Sequence, residues 1–189
     1  MVMTSNFEYL VNKVVLITGT SGTVGAEILD FISKIDKPPS KIIALDNNES
    51  GQFELEQRYT GKPILKAIVA DIRSINDLEY YFKGVDVIFH CAALKHVTVC
   101  ERSPEQAVES NVIGVQNVIR AAQRASVEKC IFTSSDKAVN PTNVMGTSKL
   151  MGERLITATN DKTFDTKFCS TRFGNVLGSS GSVLPIFKR

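Results

Sequence analysis

Ser135, Asp136 and Lys137 set a hydroxyl, a carboxyl and an amine on three consecutive residues. Each can hold, give or take a proton, so the trio is a candidate acid–base site, with Ser134 beside it. Lys149 follows Met145 by one helical turn, which puts the two on the same side of a helix. A thioether neither donates nor accepts a catalytic proton, so Met145 can only pack. A second group precedes these. Thr18–Gly25 reads T-G-x-x-G-x-x-G between an apolar run and a helix-like stretch. Gly19 permits a tight turn, Gly22 lets the backbone approach a pyrophosphate, and Gly25 lets helix and strand pack closely. Ser21, Thr23 and Val24 fill the same loop, where N–H groups and a helix dipole favour an anion.

The nucleotide end of such a ligand has its own candidates. Asp46 stands about twenty residues past the glycine loop, where a carboxylate accepts from ribose hydroxyls. Asn47 and Asn48 are uncharged, and no Arg adjoins them to pair with a 2′-phosphate, which favours NAD over NADP. The alternative for Asp46 is a turn cap before Glu49. Asp71 and Ile72 fall where adenine is expected, and Ala92 and Ala93 are small enough to admit a cofactor backbone-close.

Composition narrows the class. The chain has 189 residues, 43% hydrophobic and 22% charged, with 22 Lys and Arg against 20 Asp and Glu. A net charge of +2 gives no electrostatic case for nucleic acid or an anionic membrane. No apolar run approaches the roughly 20 residues of a membrane helix, and no signal-peptide pattern opens the chain. A cytoplasmic enzyme or binding domain is the expectation. Cys91, Cys100, Cys130 and Cys169 lie far apart, which fits buried or incidental thiols and neither a disulfide scaffold nor a metal site. The four Met and ten Phe read as core.

The elements that must position these residues follow from periodicity. Val14–Thr18, Lys41–Leu45, Ile64–Ala70, Val85–His90, Lys129–Thr133 and Thr166–Arg172 are short β-branched runs, apolar on both faces. Val24–Ser33, Ile75–Phe82, Glu105–Ala125 and Val144–Thr157 have helical spacing, with Ser103 as cap and Pro104 in a first turn. Strand and helix in alternation predict an α/β fold, a Rossmann-type doubly wound parallel sheet with helices on both faces. Residues 1–12 are expected to be a leader, and residues 13–189 one dinucleotide-binding domain carrying the catalytic residues. The stop at Ile186–Arg189, inside a helix-like segment, predicts that a C-terminal substrate-binding part is absent.

Three longer words extend this reading: His90–Val97 (HCAALKHV), Ser135–Gly146 (SDKAVNPTNVMG) and Arg172–Gly178 (RFGNVLG). With the glycine loop they resemble the polysaccharide-biosynthesis nucleotide-sugar 4,6-dehydratases of the extended short-chain dehydrogenase/reductases, over about Lys13 to Arg189. Met145 replaces the superfamily's usual Tyr, as in one branch of the family. Ser135 stands where Thr is usual, and Ser180 where Arg is frequent.

The resemblance implies an internal redox cycle on a UDP-hexose such as UDP-N-acetylglucosamine, with bound NAD(P). Hydride leaves C4 for nicotinamide, the C5 proton is removed, water leaves from C6, and the hydride returns to C6. It implies Ser135 at O4, Asp136 as acid for the C6 hydroxyl and Lys137 as base at C5. A lysine base must be neutral, which partial burial beside a nicotinamide cation favours. Lys149 and Met145 would lie against the cofactor, Lys95 between cofactor and substrate, and Ser134, Ser135 and Asn175 at the sugar nucleotide. A homo-oligomer through Glu105–Ala125 and Val144–Thr157 is also implied. Two other functions compete: a nucleotide-sugar 4-epimerase, and a dinucleotide-binding domain without activity of its own.

Overall fold

The β-branched runs become six strands, and the computed structural model describes residues 7–160 and 165–176. After a 3-10 turn at Glu8–Leu10 the elements are β1 (Val14–Thr18), α1 (Thr23–Ile32), β2 (Lys41–Asp46), α2 (Glu49–Arg58), β3 (Leu65–Val69), α3 (Ile75–Tyr81) and β4 (Val87–His90). There follow α4 (Val97–Arg102), α5 (Pro104–Val108), a π-helical turn (Glu109–Ile113), α6 (Gly114–Arg124), β5 (Lys129–Ser135), a 3-10 turn (Asp136–Ala138), α7 (Val144–Asn160) and β6 (Lys167–Phe173). The strand order is β3-β2-β1-β4-β5-β6, and every neighbouring pair is parallel. This is the Rossmann arrangement, and the order reverses between β1 and β4.

Strand alternation builds two cores. Val15 and Ile17 join Ile42 and Ala44 under Leu29 and Ile32 of α1 and Leu55 of α2. Leu16 joins Ile43, Leu45, Ile88 and Phe132 under Leu78 of α3, Val115 and Val118 of α6, and Ile156 of α7. A residue-by-residue switch of face is what a strand's two-residue period produces, and it puts helices on both sides of the sheet.

Several expectations need correction. The stretch Glu105–Ala125 is not one regular helix: Glu109–Ile113 widens into a π turn between α5 and α6. Ser103 occupies the cap position of α5 but makes no side-chain cap bond. Neither α2 nor α4 stood out by periodicity, because α2 has a polar sequence and α4 only six residues. The edge strands β3 and β6 are largely exposed along one or both faces, unlike the buried runs expected. Phe is not uniformly core, since Phe53 is 58% exposed and Phe31 50%, with Met151 also on the surface. The Ile186–Arg189 segment, Ser180 and the start of the leader lie outside the described residues.

The turn after β1 is shaped by close approach. Gly19 has φ +77°, and a Cβ there would fall 2.5 Å from the Ala92 nitrogen. A Cβ on Gly25 would fall 2.2 Å from the Gly19 carbonyl oxygen, so α1 seats directly on the turn. Gly25→Ala is therefore expected to destabilise the fold by about 1–3 kcal/mol despite alanine's better helix propensity. Thermal unfolding measures this, and an unchanged or raised melting temperature would contradict the packing described.

Candidate functional site

The reversal of strand order leaves a crevice at the carboxyl ends of β1 and β4, where open α/β sheets take their ligands. Its floor is the glycine turn. α1 starts at Thr23, and Gly22 at its cap position offers no side chain to cap the helix. The Gly19–Gly25 cradle that a Cβ would fill, beneath a helix start with no side-chain cap, fits the pyrophosphate of a dinucleotide. Ser21 donates its N–H to Asp46 Oδ2 at 2.9 Å, and Asn48 donates to Oδ1 at 2.9 Å. Asp46 thus ties the glycine turn to the end of β2. The cap of α2 is Asn48, whose Oδ1 accepts from Gly51 N–H, while Asp46, through Asn48 N–H, also closes the turn before Glu49 that was weighed as its alternative.

At the expected adenine end, Asp71 is held by Arg73, with Nε at 3.0 Å and Nη2 at 2.6 Å from Oδ2. Hydrogen bonding to this guanidinium holds the Asp71 carboxyl below its ordinary range. Arg73 also donates to Gln106 Oε1, and Asn47 Nδ2 lies 3.4 Å from Asp71 Oδ2. The fold therefore brings an arginine close to Asn47 that chain neighbours do not supply. Ile72 is buried in the core, and its carbonyl accepts from Asn117 Nδ2. Gln52, whose role sequence reasoning missed, is buried under the loop and its Nε2 reaches Thr20 Oγ1, the Ala44 carbonyl and the Ile68 carbonyl.

On the other side of the crevice β5 ends in the acid–base trio. Ser135 Oγ donates to Asp136 Oδ1 at 3.0 Å and accepts from Lys137 N–H at 3.2 Å. Lys137 Nζ donates to Asp136 Oδ1 at 3.1 Å and to Asn175 Oδ1 at 3.2 Å. Four candidate residues from two strand ends thus meet in one cluster. Hydrogen bonds from Lys137 and then Ser135 hold the Asp136 carboxyl below its usual range, so it is ionised at neutrality. The Lys137 side chain is 38% exposed, so the cluster is reachable from solvent. Ser134 is buried on the opposite face of the strand and is not part of the cluster.

Met145 and Lys149 both point inward from α7, to different ends. Met145 is 3% exposed and packs with Cys100, Ala107, Leu94 and Val97. Lys149 is 5% exposed, donates to the Thr133 carbonyl at 2.9 Å and stands 4.7 Å over the Phe132 ring. Ala92 and Ala93 line the loop after β4 half-buried, and Lys95 follows on the surface. The position of Lys95 depends on a residue the sequence did not flag. Asn111, inside the π turn, accepts from Leu94 N–H and donates to the Leu94 carbonyl and to Ser148 Oγ. An Asn amid helical apolar spacing was the available signal. Arg172 forks onto Glu153 at 2.8 and 2.7 Å and so anchors β6 to α7.

Burial lowers the Lys149 ammonium to about 8 from 10.5. A lysine depressed in the fold binds fewer protons there than in the unfolded chain, so its burden on stability shrinks as pH rises from about 8 towards 10.5. Lys149→Met is expected to unfold at higher temperature than wild type at pH 7, with the gap closing over that window. A gap independent of pH is the contrary result.

Comparison with known proteins places this geometry in a family. The model of the polysaccharide biosynthesis protein family matches residues 15–189. A UDP-glucose 4-epimerase of Rickettsia bellii is 41% identical over 184 residues, 94% of this chain and 53% of that protein. A UDP-N-acetylglucosamine 4,6-dehydratase (inverting) of Campylobacter jejuni is 38% identical over 179 residues, again 94% and 53%. The chain thus spans about half the length of the curated relatives it matches. The dTDP-glucose 4,6-dehydratase DesIV of Streptomyces venezuelae, solved with NAD bound, superposes with a TM-score of 0.75 at 25% identity, over 84% of this chain and 55% of that one. With the glycine cradle, the Rossmann strand order and a family match over nearly its whole length, the chain belongs to the polysaccharide biosynthesis family of extended short-chain dehydrogenase/reductases.

Proposed function

We propose that this chain carries the cofactor site and acid–base residues of a nucleotide-sugar 4,6-dehydratase, acting on UDP-N-acetylglucosamine or a similar UDP-hexose. The observation that carries the reading is the Ser135–Asp136–Lys137–Asn175 cluster beside a helix whose usual phenol position holds buried Met145. Elimination of water needs an acid and a base together, and this cluster has both within 3.1 Å. The residues of the glycine cradle and Asp46 would bind the dinucleotide, with Lys149 below its nicotinamide ribose. The nicotinamide, when bound, supplies the acceptor and donor of hydride.

The proton states of the pair follow from their contact. Asp136 is ionised as it stands and cannot protonate a hydroxyl until it gains a proton. Lys137 Nζ, 3.1 Å away, is the donor at hand. One transfer from Nζ to Oδ1 leaves a carboxylic acid for the C6 hydroxyl and a neutral amine for the C5 proton. Ser135 Oγ, released from Asp136 Oδ1 by that transfer, is then available to O4 of the hexose. Asn175, which shares Lys137, would turn to the sugar nucleotide.

NAD is favoured by Asp46 at the end of β2, while Arg73 near Asn47 keeps NADP as the other candidate. A 4-epimerase is the second reading, supported by the 41% identity to the Rickettsia bellii enzyme of that name. Incubation with UDP-N-acetylglucosamine in deuterium oxide separates the two by mass spectrometry. A dehydratase product has lost one water and carries deuterium at C5, whereas an epimerase product keeps the substrate mass. Lys137→Ala and Asp136→Asn should each slow product formation by about 10²–10⁴-fold while leaving NAD binding unchanged. Unimpaired turnover in either variant would remove the assignment.

A further inference from the structure

We propose that His90 is a positioning residue of the dinucleotide groove, acting through Thr18 to hold the Cys91–Ala92 amides against the glycine turn. The proposal rests on the reading of that groove as a dinucleotide site. Thr18 closes β1 and His90 closes β4, and the two are register partners at the point where the strand order reverses. Both are fully buried, and Thr18 Oγ1 lies 2.7 Å from His90 Nδ1.

The direction of that bond follows from counting. Thr18 Oγ1 accepts from Ala92 N–H at 3.2 Å and shares Cys91 N–H, 3.1 Å away, with the Thr18 carbonyl, also at 3.1 Å. A hydroxyl oxygen has two lone pairs and one proton. With two N–H groups directed at this oxygen, its proton is left for His90 Nδ1 as acceptor. The imidazole is then the neutral tautomer with its proton on Nε2. A proton on Nδ1 would compete with these amides for the two lone pairs of the hydroxyl, leaving Cys91 N–H to the Thr18 carbonyl alone. Burial, helped by the positive Lys149, keeps the ring neutral by lowering it to about 3.

What the arrangement holds is the floor of the groove. The Ala92 nitrogen is the atom that a Cβ on Gly19 would strike, so its place sets how closely the loop after β4 meets the glycine turn. The His90 carbonyl accepts from Thr133 Oγ1, and the Thr133 carbonyl accepts from Lys149 Nζ. The chain of bonds therefore runs from the glycine turn across β4 and β5 to the lysine below the expected nicotinamide. His90 Nε2 is buried without a hydrogen-bond partner among the described residues. An unpartnered buried donor lowers stability, and a phenyl ring would fill the same space without it. Stability alone does not account for an imidazole here, whereas an acceptor at Nδ1 does.

Two amide substitutions separate the roles of the ring nitrogens. His90→Asn sets an acceptor oxygen near the place of Nδ1, and His90→Gln sets its amide nearer to Nε2 and leaves Thr18 without its acceptor. In calorimetric titration with NAD, the Asn variant should bind within about threefold of wild type and the Gln variant about tenfold more weakly. Equal affinities for the two variants overturn the proposal. Should either fail to fold, Thr18→Ser, which keeps the hydroxyl, should bind NAD about tenfold more tightly than Thr18→Val. Equality there overturns it equally. Independently of ligand, ¹⁵N resonances of wild type at pH 7 should show His90 protonated at Nε2 and bare at Nδ1. Protonation at Nδ1 overturns the role of His90, whereas failure of wild type to bind NAD overturns the groove itself.

Discussion

A parallel sheet that reverses its order between β1 and β4 opens a crevice there, and this chain closes the floor of that crevice with backbone alone. Gly19 and Ala92 approach so nearly that a single methyl group at position 19 would overlap main-chain nitrogen. Everything polar in the site is referenced to that contact. The in-register ends Thr18, His90 and Phe132 set β1, β4 and β5 side by side. The glycine turn and the Ser135 cluster are thus separated by two strand spacings, about 10 Å. The separation is a property of the sheet, and loops on its edge adjust it only slightly.

Around this floor the polar groups sort by whether they favour the fold. The Arg172–Glu153 fork joins β6 to α7, and hydrogen bonding to Arg172 holds the Glu153 carboxyl below its ordinary range. That pair stabilises above the carboxylate range and fails as pH falls through it. Lys149 and His90 Nε2, which has no hydrogen-bond partner among the described residues, do the opposite, because burial opposes the charge of one and leaves the donor of the other unmet. The Asp136–Lys137 pair is exposed, and exposed ion pairs contribute little to stability. Lys149, His90 and the Asp136–Lys137 pair all lie along the crevice, which is where strain and unmet polarity are expected in a site built for a ligand.

How much of this the sequence carried depended on range. The T-G-x-x-G-x-x-G turn, the short β-branched runs of β1 and β2, and the proximity of Ser135, Asp136 and Lys137 are local, and local physics makes them legible. α2 was hidden because its apolar residues are too few to show a face. Arg73 beside Asn47, Asn111 gripping Leu94 and Arg172 on Glu153 join segments 26, 17 and 19 residues apart in sequence, and no spacing rule announces them. Surface Phe53 and Phe31 misled for a simpler reason: much of a folded protein's surface remains apolar.

The replacement of a phenol by Met145 gains its meaning from what surrounds the thioether. Cys100, Ala107, Leu94, Val97 and Val144 make an apolar pocket in which a phenolic hydroxyl would need a partner that these side chains do not provide. Met145 fills this space and ties α7 to α4 and α5. Under the proposed dehydration, proton handling must then leave the helix and move to the strand end. The 3-10 turn at Asp136–Ala138 makes that move feasible, because the Ser135 hydroxyl accepts the Lys137 N–H and folds the turn back on its own strand. One serine thereby shapes the turn and joins the acid–base pair. Loss of its hydroxyl would disturb the placement of Asp136 and Lys137 together with any contact to O4, so the three residues act as a unit whose single substitutions are not additive.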